Sequence, residues 1–236
     1  MIALAVALAI LTVSIVPFLS PAYVGFAQGR AEASAWTGFS EAQLRTVTDA
    51  ILADLIVGPP DFDVAIEGVP VLNERERSHM RDVRSVFMGF FLLSLVAIIA
   101  GTLIVARRRG AAERVRSWRA ARTGALVLTV GLVAAGGVAL VAFDVLFEVF
   151  HQLLFAGGSY TFDPTTERLV QLFPFRFWQE SAIAVGVVAV VLGLLVAFIA
   201  SQRAARLAEL ASDQPTGPGG SDAVLTDASA PRVGSA

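Results

Sequence analysis

His79 and His151 are the only two histidines in this 236-residue sequence, and imidazole is the side chain that titrates near neutral pH. Lys is absent, all 18 basic residues being Arg, so Schiff-base and lysine-nucleophile mechanisms are excluded. Cys is absent too, which removes thiol nucleophiles, disulfides, iron–sulfur clusters and cysteine zinc sites. Each imidazole has acidic neighbours at helical spacing. Glu76 and Asp82 flank His79 at i−3 and i+3, with Arg75 at i−4, while Asp144, Glu148 and His151 follow one another at i, i+4 and i+7 along one helix face.

Such a pair suits three readings. As general acid and base, one imidazole takes a proton from a nucleophile while the other, protonated, steadies a developing oxyanion or leaving group. Asp82 and Asp144, with Glu76 and Glu148 beside them, are then supporting groups that fix tautomer and raise basicity. With no Cys or Lys, the nucleophile has to come from the substrate. The aromatic stretch from Phe143 to Trp178 supplies a platform at lipid level, so the natural substrate is an acyl ester of a lipid or a lipidated molecule. In the second reading the histidines are axial ligands of a b-type haem between two helices. Both, however, sit at or beyond the ends of apolar runs among charged residues, where a haem wants apolar walls. The third is a non-catalytic structural or partner-binding protein with interfacial histidines making hydrogen bonds. Two His plus Asp82, Asp144 or Glu148 lacks the spacing of known metal motifs, so neither a metal nor another cofactor is assigned.

The elements that position these residues are set by hydropathy. With 56% hydrophobic and only 16% charged residues and a mean hydropathy of +0.69, the chain reads as an integral membrane protein. Residues 1–19 form an uncharged first span, with no basic n-region ahead of it to suggest a cleaved signal. Residues 20–82 are a polar, acidic cap. Within it Ser40 and Gln43 form a capping-box pattern that opens a helix to about Val57, Gly58-Pro59-Pro60 stops that helix, and Glu67-Gly68 allows a short hairpin. The second span covers 83–106, and an Arg-rich loop follows over 107–122. The third span with its outer extension covers 123–155, and within it Gly124 to Phe143 is uncharged for 20 residues, about the length that crosses a hydrocarbon core.

The loop 107–122 holds seven Arg and one acid, so by the positive-inside rule it is cytoplasmic. His79 and His151 then both fall at the extracytoplasmic face, where they can meet. Residues 156–180 form an aromatic outer loop, with a turn at Thr161-Phe162-Asp163-Pro164 and a short helix through Leu169 and Leu172. The fourth span is 181–201, and 202–236 is a tail whose Ser, Gly, Pro and Asp content from about Ser212 predicts disorder. The expected fold is therefore an all-α membrane protein of four transmembrane helices, with a small extracytoplasmic cap between helices 1 and 2, an aromatic outer loop between helices 3 and 4, and both termini cytoplasmic. Gly131, Gly136, Gly137, Gly186 and Gly193 allow close helix packing without forming a GxxxG pair.

Several dispersed motifs, in order, carry a family resemblance. Glu74-Arg75-Glu76 with Ser78-His79-Met80 and Asp82-Val83, Phe143-Asp144 and Leu146-Phe147 leading to Phe150-His151, Phe162-Asp163-Pro164, and Leu172-Phe173-Pro174 with Phe177-Trp178 resemble the integral membrane family that includes lipoprotein intramolecular transacylase. The resemblance covers all four spans. It implies an acyltransferase that moves the sn-2 acyl chain of a diacylglyceryl lipoprotein to the amine of its N-terminal cysteine, leaving a lyso-form lipoprotein. It implies His79 and His151 as the catalytic pair. Lipid or lipidated-N-terminus contacts are expected at Tyr160, Phe162, Asp163, Phe173, Phe177 and Trp178, with no nucleic-acid partner. The sequence departs from the family pattern at Tyr160, where Trp is expected, and at Phe175, where an acid is expected after Pro174.

Overall fold

The computed structural model describes residues 1–155 and 157–212, so the tail expected to be disordered lies, from residue 213 on, outside the described residues. Among the described residues, four helices are long and apolar enough to cross a membrane. The first is α1 (Ile2–Ile15) with a 3-10 turn through Leu19, the second α5 (Glu74–Arg107), the third α6 (Ala111–Leu154) and the fourth α8 (Phe175–Ser212). α1 lies against α5, α6 and α8, α6 runs along α8, and α5 and α6 meet only sparingly.

The packing reverses the soluble pattern. Small side chains sit inside, among them Ala5, Ala97, Ala125, Ala189 and Ala200, while Leu92, Leu93, Val127, Val130, Val191 and Leu194 face outward. Between apolar helices in lipid there is no hydrophobic drive to bury Leu, so close backbone approach and dispersion hold the bundle. Of the glycines expected to permit such approach, only Gly193 does so, against Thr129; Gly131, Gly136, Gly137 and Gly186 face open space. The tightest crossing is at Gly124, where an added Cβ would come within 2.7 Å of Ala3 Cα and C. Gly124→Ala is therefore expected to destabilise the protein by about 1–3 kcal/mol, as overpacking does. Gly131→Ala, with nothing within 4 Å, is the matched control, and thermal unfolding in detergent compares the two.

The helices extend beyond the apolar spans. Only Arg108–Gly110 separate α5 from α6, so most of the arginines expected in a loop over 107–122 stand on the first turns of α6. Likewise α5 begins nine residues before 83, and α8 begins at Phe175 rather than 181 and runs on to Ser212. Hydropathy marks where lipid lies, whereas a helix continues through any sequence that lacks breakers.

Between α1 and α5 lies the cap: α2 (Pro21–Arg30), α3 (Ala33–Thr37), α4 (Glu41–Ile56) and a hairpin of β1 (Ala65–Ile66) and β2 (Val69–Pro70). Ser40 and Gln43 form the capping box that starts α4. Glu67 and Gly68 take positive φ values of 52° and 80°, the left-handed pair that a two-residue hairpin turn needs. The cap does not build its core alone. Val47, Ile51, Phe62 and Leu72 pack with Met80 of α5 and with Leu169, Leu172, Phe173 and Phe177 from α7 (Arg168–Leu172) and the start of α8. Buried Gln28 joins the two halves, donating to the Leu172 carbonyl and accepting from Thr48 Oγ1.

Candidate active site

His79 stands in the second turn of α5, and that helix start is fixed by a second capping box. Asn73 Oδ1 accepts from the Glu76 N–H at 3.0 Å, and Glu76 Oε2 accepts from the Asn73 N–H at 2.7 Å. The other Glu76 oxygen accepts from the Leu169 N–H at 2.6 Å, so one buried carboxyl joins the first turns of α5 and α7. Next to it the buried Glu167 accepts from both Arg75 Nη2 and the Asp163 N–H at 2.6 Å. Burial alone would raise the Glu167 carboxyl, but Arg75, the Asp163 N–H and Asn73 together outweigh it and hold its pKa below the usual value. These bonds lay Phe162 under the Arg75 guanidinium, 4.9 Å from its ring centre, and edge-on to His79 at 5.4 Å.

His151 arrives from the far end of α6. Ala142 departs from helical geometry (φ −147°, ψ 47°) and turns the last segment, Phe143–Leu154, onto a new course. His151 Nδ1 lies 2.7 Å from the Phe147 carbonyl, which can only accept, so Nδ1 carries a proton and Nε2 is the nitrogen left to meet a substrate. The two imidazoles stack with centroids 6.2 Å apart and 23° between their planes. Phe155 touches both, at 4.9 Å from His79 and 5.5 Å from His151, and Phe147 and Tyr160 complete the wall around His151 at 4.2 and 5.1 Å.

His79 is 6% exposed, and its Nδ1 has no hydrogen-bond partner among the described residues. It precedes the uncharged span Val86–Ala106, in the polar turns of α5. Burial, with His151 adding and Asp82 opposing, pushes its pKa from 6.5 down to about 4. At neutral pH the ring is therefore an uncharged hydrogen-bonding group. Between pH 6.5 and 4 the unfolded chain binds a proton that the folded chain does not, so this contribution to stability is intact above pH 6.5 and is lost as pH falls toward 4. Melting temperatures in detergent should thus drop over that window for the wild type and drop less for His79→Gln.

The supporting carboxylates fall elsewhere than expected. Asp82 and Asp144 are exposed and make no hydrogen bond or ion pair among the described residues, and it is the Phe147 carbonyl that orients His151. Glu148 is engaged by the Tyr160 hydroxyl at 3.0 Å and Gln152 Nε2 at 2.9 Å, and so holds Tyr160 beside His151 instead of bonding the imidazole. Glu76 shares a helix face with His79 but turns its carboxyl to backbone N–H groups. Among the expected lipid contacts, Phe173 and Phe177 are only 9% and 6% exposed and belong to the cap core, a correction to their expected role. Asp163 closes its own turn through Thr165. Tyr160 and Phe162 border the histidines, and Trp178, 41% exposed, meets Phe147 and Phe177.

Glu167 and Phe155 join the site without being marked by any motif in the sequence. Phe155 sits at i+4 from His151, the one signal that pointed to it. Phe175, at the position where the family pattern has an acid, packs on Phe143 and Phe147 at 5.4 and 6.3 Å and makes the ground beneath His151 apolar.

Comparison with known proteins agrees with this architecture. The solved structure of the membrane integral lipoprotein intramolecular transacylase Lit from Bacillus cereus superposes with a TM-score of 0.66 at 14% identity, covering 89% of this chain and 94% of that one. A histidine-to-alanine variant of the same protein superposes with a TM-score of 0.64 at 14% identity, covering 88% and 92%. An uncharacterized protein of Aquifex aeolicus (strain VF5) is 26% identical over 135 residues, a match spanning 56% of this chain and only 57% of that relative's length. The family model described as lipoprotein intramolecular transacylase Lit matches residues 1–178. With three quarters of its length on that family's pattern and, among the described residues, four helices able to span a membrane, this multi-pass membrane chain belongs to the lipoprotein intramolecular transacylase (Lit) family.

Proposed function

We propose that this protein moves an O-linked acyl chain of a lipoprotein diacylglyceryl group onto the amine of the N-terminal cysteine of the same lipoprotein. The observation that carries the proposal is the placement of His79 and His151, 72 residues apart in sequence, as stacked rings 6.2 Å apart within an aromatic wall. Acid–base transfer requires a reacting group within about 3 Å of a ring nitrogen, and rings this close can each present a nitrogen to one bound substrate.

In this mechanism His151 Nε2 takes a proton from the substrate amine as its nitrogen attacks the ester carbonyl. The C–N bond forms, and the carbonyl oxygen becomes an oxyanion. His79 stays neutral and donates an N–H hydrogen bond to that oxygen. Collapse of the tetrahedral adduct breaks the C–O bond to glycerol, and His151 returns the proton to the departing alkoxide. The products are an amide and a free glyceryl hydroxyl, with no enzyme-bound acyl group. Amine and ester belong to one molecule, so the enzyme's contribution is alignment as well as proton transfer.

Phe147, Phe175 and Trp178 form a continuous apolar surface from His151 to the exposed face of α8, which suits the reacting acyl chain. The Arg-rich connection at the opposite end of α5 and α6 supports a cytoplasmic position for that end, with both termini there and the histidines at the extracytoplasmic leaflet. Purified protein mixed with a synthetic diacylglyceryl-cysteine lipopeptide tests the proposal. Tandem mass spectrometry is expected to show the total mass unchanged and one acyl group moved to nitrogen. Unchanged O-acylation after prolonged incubation would refute it.

A further inference from the structure

The Arg-rich end of the bundle holds a cavity that acyl transfer does not use. Its volume is about 270 Å³, and it is formed where three helices meet: Ile2 and Ala3 of α1, Ile104 near the end of α5, Arg108 of the connection, and Arg116 and Ala120 of α6. The two arginines face an apolar lining. Neither has a carboxylate partner among the described residues, and Arg108 spends one N–H on Ser117 Oγ at 3.0 Å. Glu113, the only acid between 107 and 122, forms no ion pair among the described residues. Trp118 and Ile104 pack against the cluster of Ile2, Ala121 and Ala200 at this end, and Leu103, Val105 and Val127 expose apolar surface nearby.

We propose that this cavity binds the phosphate of an anionic phospholipid, whose acyl chains run down the exposed faces of α5 and α6. Planar guanidinium groups pair with phosphate oxygens in a fork, and basic pockets between transmembrane helices suit anionic headgroups. The surrounding Arg107, Arg109, Arg114, Arg119 and Arg122 repel a headgroup that carries its own cation, which favours an anionic lipid over a zwitterionic one. Free phosphate would gain nothing from the apolar lining.

Native mass spectrometry of delipidated full-length protein in neutral detergent tests this, titrating phosphatidylglycerol, phosphatidylcholine and inorganic phosphate in separate arms. Phosphatidylglycerol is expected to bind at least about tenfold more tightly than either of the others, and R108Q/R116Q to lose roughly tenfold or more of that affinity. Because Arg108 also holds Ser117, the exposed R116Q alone serves as a variant that leaves that contact in place, with a several-fold loss expected. R203Q/R206Q removes two charges near the same end, off the cavity, and is expected to keep wild-type affinity. Equal binding of phosphatidylcholine, saturation by inorganic phosphate at matching concentration, or an equal loss in R203Q/R206Q would each overturn the proposal.

Discussion

Alanine at His151 is expected to slow O-to-N acyl migration by about 10²–10⁴-fold, the range that a positioned general base supplies. Glu148, one turn before His151, is already engaged by Tyr160 and Gln152. His79→Ala is expected to cost about 10²–10³-fold, as loss of one oxyanion donor does. The two variants should also differ in kind. A neutral hydrogen-bond donor at 79 is partly replaced by Gln or Asn, whereas His151→Gln supplies no base and remains inactive. Single-turnover rates on the lipopeptide measure both, and retained melting temperature for His151→Ala separates chemistry from folding.

Glu76→Ala is expected to destabilise the junction between the start of α5 and α7. The carboxyl is 1% exposed and accepts from two backbone N–H groups, those of Asn73 and Leu169. Removing it leaves the buried Leu169 N–H unpaired at about 1–3 kcal/mol, while the Asn73 N–H, on an exposed residue, passes to water, so a total of about 1–3 kcal/mol is expected. Gln keeps one acceptor oxygen and should lose roughly half as much. Because His79 stands one turn further along the same helix and Leu169 continues from the loop that places Phe162, activity should fall in parallel with stability. Denaturant unfolding in detergent and the acyl-migration rate, taken on the same preparations, test that linkage.

Local signals carried much of the architecture. Ser40 with Gln43 specified the start of α4, Glu67-Gly68 the hairpin, and the uncharged runs the four spans, because each depends on neighbours within a few residues. The meeting of His79 with His151 was accessible only through topology: an Arg-rich connection at one end of two spans puts the other ends together. Partner choice was not legible. Helical spacing placed Glu76 beside His79, yet its carboxyl is satisfied by an N–H 93 residues away. Glu148 shares a face with His151 and bonds Tyr160 across a turn instead. The kink at Ala142 has no Pro to announce it, and Phe173 and Phe177 had the composition of interface anchors while serving a core that the cap could not complete alone.

The central claim is that these two imidazoles move an acyl group within one substrate molecule. Two diacylglyceryl lipopeptides, one with unlabelled and one with deuterated acyl chains on distinguishable peptides, can be incubated together with wild-type protein and with His151→Ala and followed by tandem mass spectrometry. Wild type should convert each peptide to its N-acyl, lyso-glyceryl isomer carrying only its own label, and His151→Ala should convert neither at a measurable rate. Exchange of label between peptides, or wild-type conversion in the His151→Ala sample, would contradict the account.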